Sequence, residues 1–210
     1  LLPLLGDADA EIRAQAAKTL GGLKTVLAYD RLVALLKDES PRVRFFAALG
    51  LGKIGKRDAM EPVLAFLRAN NNEDRMLQHA GIMALTGMED IDGILKAGQD
   101  ASAAVRMAAL IALRKLKRSE AERFLTDADP KIVIEAARAI YDTPIETALP
   151  ALIRLLKTPK APEWALLRAV NAAFRAGAAE DLIAFAAQPD ASEAARVEAL
   201  KVLADWEHPS

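Results

Sequence analysis

Apolar and polar positions along this chain follow a pattern that recurs seven times, at intervals of 27 to 34 residues. Each copy opens with an Asp or a replacement for it. A short polar turn follows, and then an Ala- and Leu-rich segment with apolar residues four positions apart. Steps of four keep side chains on one face of an α-helix. The period therefore predicts stacked helical hairpins, each contacting its neighbours.

Five of the copies are regular and two are looser. The regular copies are residues 7–20, 38–51, 100–113, 127–140 and 190–203, and the looser ones are 72–85 and 161–174. Positions five, nine and thirteen after the opening residue predict the buried stripe of the second helix. Position five carries Ile12, Val43, Leu77, Val105 and Ile132; position nine carries Ala16, Ala47, Gly81, Ala109, Ala136, Val170 and Ala199; position thirteen carries Leu20, Leu51, Leu85, Leu113, Ile140, Phe174 and Leu203.

A capping residue two places after the opening position predicts where each second helix begins. These residues are Asp9, Ser40, Asp74, Ser102, Asp129 and Ser192. Pro41 and Pro130 follow directly, at the first helical position, where a missing N–H matters least. The first helix of each hairpin is predicted to be shorter, as in residues 30–36, 60–68 and 147–156.

Composition narrows the class of protein. Hydrophobic residues make up 52% of the 210 residues and aromatic residues 5%, which favours an all-α fold rich in Ala and Leu. The 28 basic and 29 acidic residues give a net charge of −1, without the basic surplus of a typical nucleic-acid-binding protein. A local basic cluster at Arg114, Lys115, Lys117 and Arg118 is interpreted as a solvated helix end. We therefore expect no nucleic-acid partner.

The absence of cysteine excludes disulfides, zinc–thiolate sites and thiol catalysis within this chain. No apolar run approaches the roughly 18 residues of a membrane span, so none is predicted. The chain opens with Leu1-Leu2-Pro3-Leu4-Leu5, without Met or a signal-like region. This opening predicts the middle of a first helix, and therefore a piece of a longer protein.

An Arg six places after the opening Asp recurs as Arg13, Arg44, Arg106 and Arg196. This Asp-x₅-Arg spacing, with its Val-Arg and Ala-Ala run, resembles the HEAT repeat, in particular the short bacterial kind of phycobilin-lyase-like proteins. The resemblance covers essentially the whole chain. It implies an all-α superhelix, a HEAT-like solenoid of about seven hairpins forming a single domain over residues 1–210.

In that family the Asp and Arg of adjacent repeats commonly form a hydrogen-bonded ladder. The resemblance therefore implies structural roles for the matching positions, Asp7, Arg13, Asp38, Arg44, Asp100, Arg106 and Arg196. Gln78, Val133 and Leu167 replace the Arg in the remaining copies. We expect the ladder to be interrupted there.

Candidate chemistry is sparse. His79 and His208 are the only histidines, and no His-Glu pair resembles the iron ligands of HEAT-like deoxyhypusine hydroxylases. We therefore expect no metal, no cofactor and no enzymatic activity. The acid pairs 73–74, 89–90 and 180–181 lie near helix boundaries, where they are interpreted as capping groups. Trp164 and Arg168 lie one helical turn apart, an arrangement similar to one in HEAT-like DNA glycosylases.

The face predicted to line the groove of the array is uneven. Positions seven, eight and eleven are mostly charged or polar in the outer copies and apolar in copies two to four. Such a patch is typical of a contact site. We predict a docking surface for a partner protein or a neighbouring domain of the same chain, made of Phe45, Phe46, Leu49, His79, Met83, Met107 and Ile111. The alternative is that several of these side chains pack between repeats.

Three further segments, residues 103–114, 135–145 and 204–209, are similar to the HEAT region of large planctomycete and verrucomicrobial proteins. Those proteins carry a propeller-type dehydrogenase-like domain before the repeats and a c-type haem domain after them. The similarity implies the spacer or docking arm of an exported, periplasmic redox protein; without it a cytoplasmic location is expected. We interpret the chain as a noncatalytic binding scaffold. The alternatives are a phycobilin-lyase-like accessory protein and a HEAT-like DNA glycosylase.

Overall fold

The computed structural model describes residues 1–205 of the chain. Within that range the chain forms α-helices joined by turns and 3₁₀ segments, with no β-strand, so the all-α prediction is confirmed. His208 and most of the 204–209 segment lie outside the described residues. Contacts divide the chain into two compact units, Leu1–Leu116 and Lys117–Ser210.

The first unit is a stack of four hairpins. The second helices of the hairpins, α1, α3, α5 and α7, pack against one another in that order and form an inner layer. The first helices, α2, α4 and α6, pack on α3, α5 and α7 and form an outer layer. The bounds are α1 Ala10–Gly22, α2 Tyr29–Leu35, α3 Pro41–Ile54, α4 Met60–Asn70, α5 Arg75–Met88, α6 Ile91–Ala97 and α7 Ala103–Lys115.

The second unit repeats the plan with three hairpins. Its second helices α8, α10 and α12 pack in succession, and α9 and α11 lie against α10 and α12. The 3₁₀ segment Ser119–Thr126 takes the place of a first helix and packs on α8. The bounds are α8 Pro130–Tyr141, α9 Leu149–Arg154, α10 Glu163–Arg175, α11 Ala179–Ala186 and α12 Glu193–Ala204.

Helix starts follow the capping pattern, with one difference in chemistry. The predicted caps Asp9, Asp74, Asp129 and Ser192 accept hydrogen bonds from backbone N–H groups of the following turn. Ser40 and Ser102 precede α3 and α7, as predicted, but their hydroxyls make no capping hydrogen bond. The short polar residue is therefore compatible with the extended backbone that precedes a helix even where its side chain caps nothing.

The core is the apolar stripe of the second helices. Positions five and nine are buried in nearly every copy, as Val43, Val105 and Ala109 illustrate with no exposed surface. The prediction of burial is wrong for Ile12 and Phe174, which are 41% and 39% exposed. The five-residue 3₁₀ segment Leu2–Gly6 packs on α1 and leaves Ile12 partly uncovered.

Glycines bring the inner helices of the first unit unusually close together. A Cβ atom on Gly21 of α1 would collide with the Cα atom of Gly50 on α3. A Cβ atom on Gly52 would lie 2.6 Å from the Cα atom of Ala84 on α5. Both obstacles are backbone atoms, which cannot rotate away. Contact between α1, α3 and α5 therefore requires glycine at these positions.

Adjacent glycines in α1 test this packing. Gly21→Ala is expected to lower the free energy of unfolding by about 1–3 kcal/mol, because the added methyl overpacks the α1–α3 contact. Gly22→Ala is the matched control: no atom lies within 4 Å of its Cβ position, and alanine is expected to stabilise the helix by about 0.5–1 kcal/mol. Urea unfolding followed by circular dichroism measures both. Equal effects of the two substitutions would contradict the close contact.

Candidate functional site

The opening Asp of a repeat folds its own turn. One carboxylate oxygen of Asp38 accepts a hydrogen bond from the backbone N–H of Ser40, at 2.9 Å. The same contact, with the residue two places on, recurs at Asp7, Asp100 and Asp127 with distances of 2.8–2.9 Å. This Asx-type turn positions the start of the next helix.

The same carboxylate joins two hairpins. Arg13 donates from Nε and Nη2 to the two oxygens of Asp38, at 2.8 and 2.9 Å. Its Nη1 donates to the carbonyl oxygens of Asp7 and Ala8, at 2.8 and 3.0 Å. The two side chains are 17% and 8% exposed, so this two-point pair is shielded from water and stronger than a surface ion pair. We call such a pair a rung.

The other predicted ladder arginines also bind backbone carbonyl groups. Arg44 and Arg106 each donate from Nη1 to two carbonyl oxygens of their own turn, at 2.8–3.2 Å. Arg196 donates from Nε to the carbonyl oxygen of Ala186, at 2.9 Å. The shared feature of Arg13, Arg44 and Arg106 is therefore the closing of their own turn.

A second rung comes from an unexpected residue. Arg68, in the last turn of α4, donates from Nε and Nη2 to Oδ2 of Asp100, at 3.1 and 2.7 Å. Its Nη1 donates to Glu61 at 2.7 Å. Gln78 occupies the ladder position of that copy, and an interruption was expected there. The arginine instead lies on the outer layer, ten residues before Gln78 in the chain. The Asp-x₅-Arg pattern does not predict it there.

The third copy opens with Asn72 in place of an Asp, and neither of the two acids that follow accepts a hydrogen bond from Arg44. Its turn is lengthened and closed by Asn70, which donates to the carbonyl oxygen of Asp74 at 2.9 Å and accepts from its N–H at 3.2 Å. Asn72, at the opening position, has φ of 63° and accepts a hydrogen bond from Gln78 at 2.8 Å. Its side chain is therefore engaged within its own hairpin.

The rungs shift the acidity of their carboxyl groups. The Arg13 hydrogen bonds, followed by the Ser40 N–H, hold the pKa of Asp38 below its ordinary 3.8. The Arg68 hydrogen bonds do the same for the pKa of Asp100. A lowered pKa means that the folded state favours the ionised carboxylate.

The predicted docking residues lie on three consecutive inner helices of the first unit. Phe45, Phe46 and Leu49 are on α3, His79 and Met83 on α5, and Met107 and Ile111 on α7. His79 is exposed and the other six side chains are half-buried. We call this set the inner apolar patch.

Cations border one side of the patch. The rings of Phe45 and Phe46 meet edge to face, with centroids 5.1 Å apart. The Nζ of Lys18 and the guanidinium of Arg42 lie 5.6 and 5.3 Å from the Phe46 ring centroid. Such contacts hold an aromatic ring in place while leaving part of its surface open.

Residues behind the other interpretations have structural partners. Arg168 donates to both carboxylate oxygens of Asp142, at 3.2 Å each, while Trp164 is 61% exposed. Arg118 pairs with Glu120 at 2.8 Å, so part of the basic cluster is neutralised. Among the acid pairs, Asp74 and Asp90 cap α5 and α6 through backbone N–H groups, Glu89 follows α5, and residues 180–181 lie in the first turn of α11.

The described residues contain neither a metal-binding cluster nor a membrane-spanning helix. No group of three or more His, Cys, Asp or Glu side chains in residues 1–205 is arranged to hold a metal ion. Over the same range, every helix is too short or too polar to cross a membrane.

Comparison with known proteins supports the repeat prediction. Residues 1–86 match the family model for HEAT repeats. No match was found among curated proteins.

Solved structures of helical repeat proteins are similar to the chain. The complex of CpcE and CpcF of phycocyanin lyase from Nostoc sp. PCC7120 is 23% identical, with 100% of this chain and 87% of that one covered and a TM-score of 0.48. Human deoxyhypusine hydroxylase is 18% identical, with 97% of this chain and 82% of that one covered and a TM-score of 0.47. A designed armadillo repeat protein is 20% identical, with 97% of each chain covered and a TM-score of 0.40. At these TM-scores the likenesses carry no conclusion about partners or chemistry.

Removing the carboxylate of the first rung tests its contribution. Asp38→Asn is expected to lower the free energy of unfolding at pH 7 by about 1–3 kcal/mol, because Arg13 loses a charged acceptor in a shielded place. The folded pKa of Asp38 is lowered, so its contribution is fully present above pH 3.8 and disappears as pH falls below that value. The deficit of the variant should therefore shrink between pH 5 and pH 2.

Urea unfolding at a series of pH values measures this difference. Glu39→Gln is the matched control, since it removes a neighbouring exposed carboxylate that accepts no side-chain hydrogen bond among residues 1–205. It should change stability by less than about 0.5 kcal/mol at any pH. A deficit for Asp38→Asn that stays constant down to pH 2 would contradict the ionised rung.

Proposed function

We propose that the chain is a noncatalytic binding scaffold whose inner apolar patch docks onto a partner protein or a neighbouring domain of the same polypeptide. The observation that carries the proposal is the partial exposure of six large apolar side chains on α3, α5 and α7, which are adjacent helices. Apolar surface gathered in one place, rather than scattered, is typical of an interaction site.

Helix α1 carries polar residues at repeat positions where α3 carries residues of the patch. At position eight α1 has exposed Gln15 where α3 has Phe46, and at position eleven it has exposed Lys18 where α3 has Leu49. Polar residues thus suffice for folding at these positions of the repeat. This favours a binding role over a packing role for the apolar residues of α3, α5 and α7.

The border of the patch is suited to a partner with acidic groups next to its apolar contact. Lys18 and Arg42 lie beside Phe46, and Arg42 also pairs with Glu11 at 2.8 Å across an exposed surface. A polar, charged rim around an apolar centre is the usual arrangement of a protein interface.

The cause of the shifted carboxyl pKa values supports the noncatalytic part of the proposal. Catalytic carboxyl groups commonly have shifted pKa values. In this chain the lowered pKa values of Asp38, Asp100 and Glu120 each arise from an arginine partner in a structural ion pair. The shifts thus have a structural cause.

A charge in the middle of the patch tests the docking role. A photo-cross-linking amino acid placed at Met83 is expected to give one discrete adduct in cells that produce the natural protein. Phe46→Glu should reduce that adduct at least tenfold, because a buried aromatic contact at an interface is worth about 2 kcal/mol or more. Denaturing gels measure the adduct, and circular dichroism measures helicity.

Gln15→Glu is the matched control, because it places the same new charge at the same repeat position on α1. The adduct should survive in that variant. An adduct that persists in folded Phe46→Glu protein would contradict docking through the patch. Loss of helicity in Phe46→Glu, with the control folded, would assign Phe46 to packing between hairpins instead.

A further inference from the structure

A cleft of about 740 Å³ opens between the second and third hairpins, where the rung from Arg44 is missing. Its walls come from α2 and α4 of the outer layer, and the start of α5 closes one end. Leu36, Phe66 and Leu77 form apolar surface in it, and each is at most 6% exposed. No residue of the inner apolar patch lines the cleft. It is therefore a separate site, independent of the proposed docking function.

Arg44 presents an unused binding edge in this cleft. Its Nη1 closes its own turn, as in Arg13, through the carbonyl oxygens of Asp38 and Glu39. In Arg13 the remaining Nε–Nη2 edge holds a carboxylate by two hydrogen bonds. Within residues 1–205, no acceptor for that edge of Arg44 is found. The guanidinium is thus held in place by one side, while its Nε–Nη2 edge has no acceptor within residues 1–205.

The acids of the cleft leave the free edge of Arg44 unoccupied. Of its three acids, Glu61 pairs with Arg68 at 2.7 Å, and Asp74 accepts from two N–H groups of α5. The third, Glu73, is exposed and does not accept from Arg44. A carboxylate on the Nε–Nη2 edge of Arg44 would lie beside apolar surface, a setting in which a carboxylate–guanidinium pair is stronger than in open water.

We propose that this cleft binds an aspartate carried by a peptide segment of a partner protein, with the carboxylate on the Nε–Nη2 edge of Arg44. The first rung supplies the template. There the occupant of the arginine edge is Asp38, presented by a turn in which the Ser40 N–H returns to the carboxylate. The cleft volume lies within the range of ordinary ligand sites and leaves room for neighbouring side chains against Leu36 and Phe66.

The chain itself provides the probe. A fluorescein-labelled hexapeptide with the sequence of residues 38–43, Asp-Glu-Ser-Pro-Arg-Val, is titrated with the protein and followed by fluorescence anisotropy. Asp38→Asn in the peptide is expected to weaken binding at least tenfold, the effect of losing a charge-assisted pair of about 1.5–3 kcal/mol. Glu39→Gln in the peptide removes the same charge but not the ligand, and should change the affinity less than twofold.

Variants of the protein locate the site. Arg44→Gln should weaken binding of the peptide at least tenfold, whereas Arg57→Gln, which removes an exposed charge of the same unit outside the cleft, should not. If Arg44→Gln fails to fold because its turn opens, Ala65→Glu replaces it. Ala65 is an exposed cleft residue, so the new carboxylate should repel or replace the peptide without disturbing the core.

Several results would overturn the proposal. They are equal binding of the two charge-matched peptides, binding unaffected in folded Arg44→Gln or Ala65→Glu protein, and no binding at millimolar protein. Propionate is a further probe: if it binds as tightly as the peptide, a free acid is the ligand and the peptide-borne aspartate is wrong. Loss of docking through Phe46 would leave all these measurements unchanged.

Discussion

The register of the first two hairpins depends on one carboxylate that serves two partners. The opening Asp accepts the N–H of its own turn and, in a rung, the guanidinium of the preceding hairpin. The arginine Arg13 also donates hydrogen bonds to two carbonyl oxygens of its own turn. The Arg13–Asp38 rung therefore fixes two turns relative to each other, and it does so in a place shielded from water, where a two-point ion pair has directional strength. Apolar burial supplies most of the stability, but it sets no such register.

The same dependence explains where the array offers binding surface. At the third hairpin, Asn70 and Asn72 make hydrogen bonds within their own hairpin. No acid pairs with Arg44 there, and a cleft remains between the second and third hairpins. At the fourth hairpin Arg68 from the outer layer restores a rung.

Much of this architecture follows from sequence pattern because the signals are local. Pro41 and Pro130 mark the starts of α3 and α8, and steps of four mark the buried stripe. Three features do not follow. Arg68 replaces Gln78 as rung donor only because α4 ends beside the next turn, a tertiary fact. Ile12 is exposed because little packs on its side of α1. The cleft arises from an interrupted contact between two copies, which no single copy reveals.

The most direct test of the rung is a double-mutant cycle of Arg13→Gln and Asp38→Asn, with unfolding free energies measured in urea at pH 7. If the pair holds the first two hairpins together, the coupling energy should be about 1 kcal/mol or more, because each single variant leaves a half-buried polar group without its charged partner. A coupling energy below about 0.3 kcal/mol, within the error of independent sites, would contradict the account.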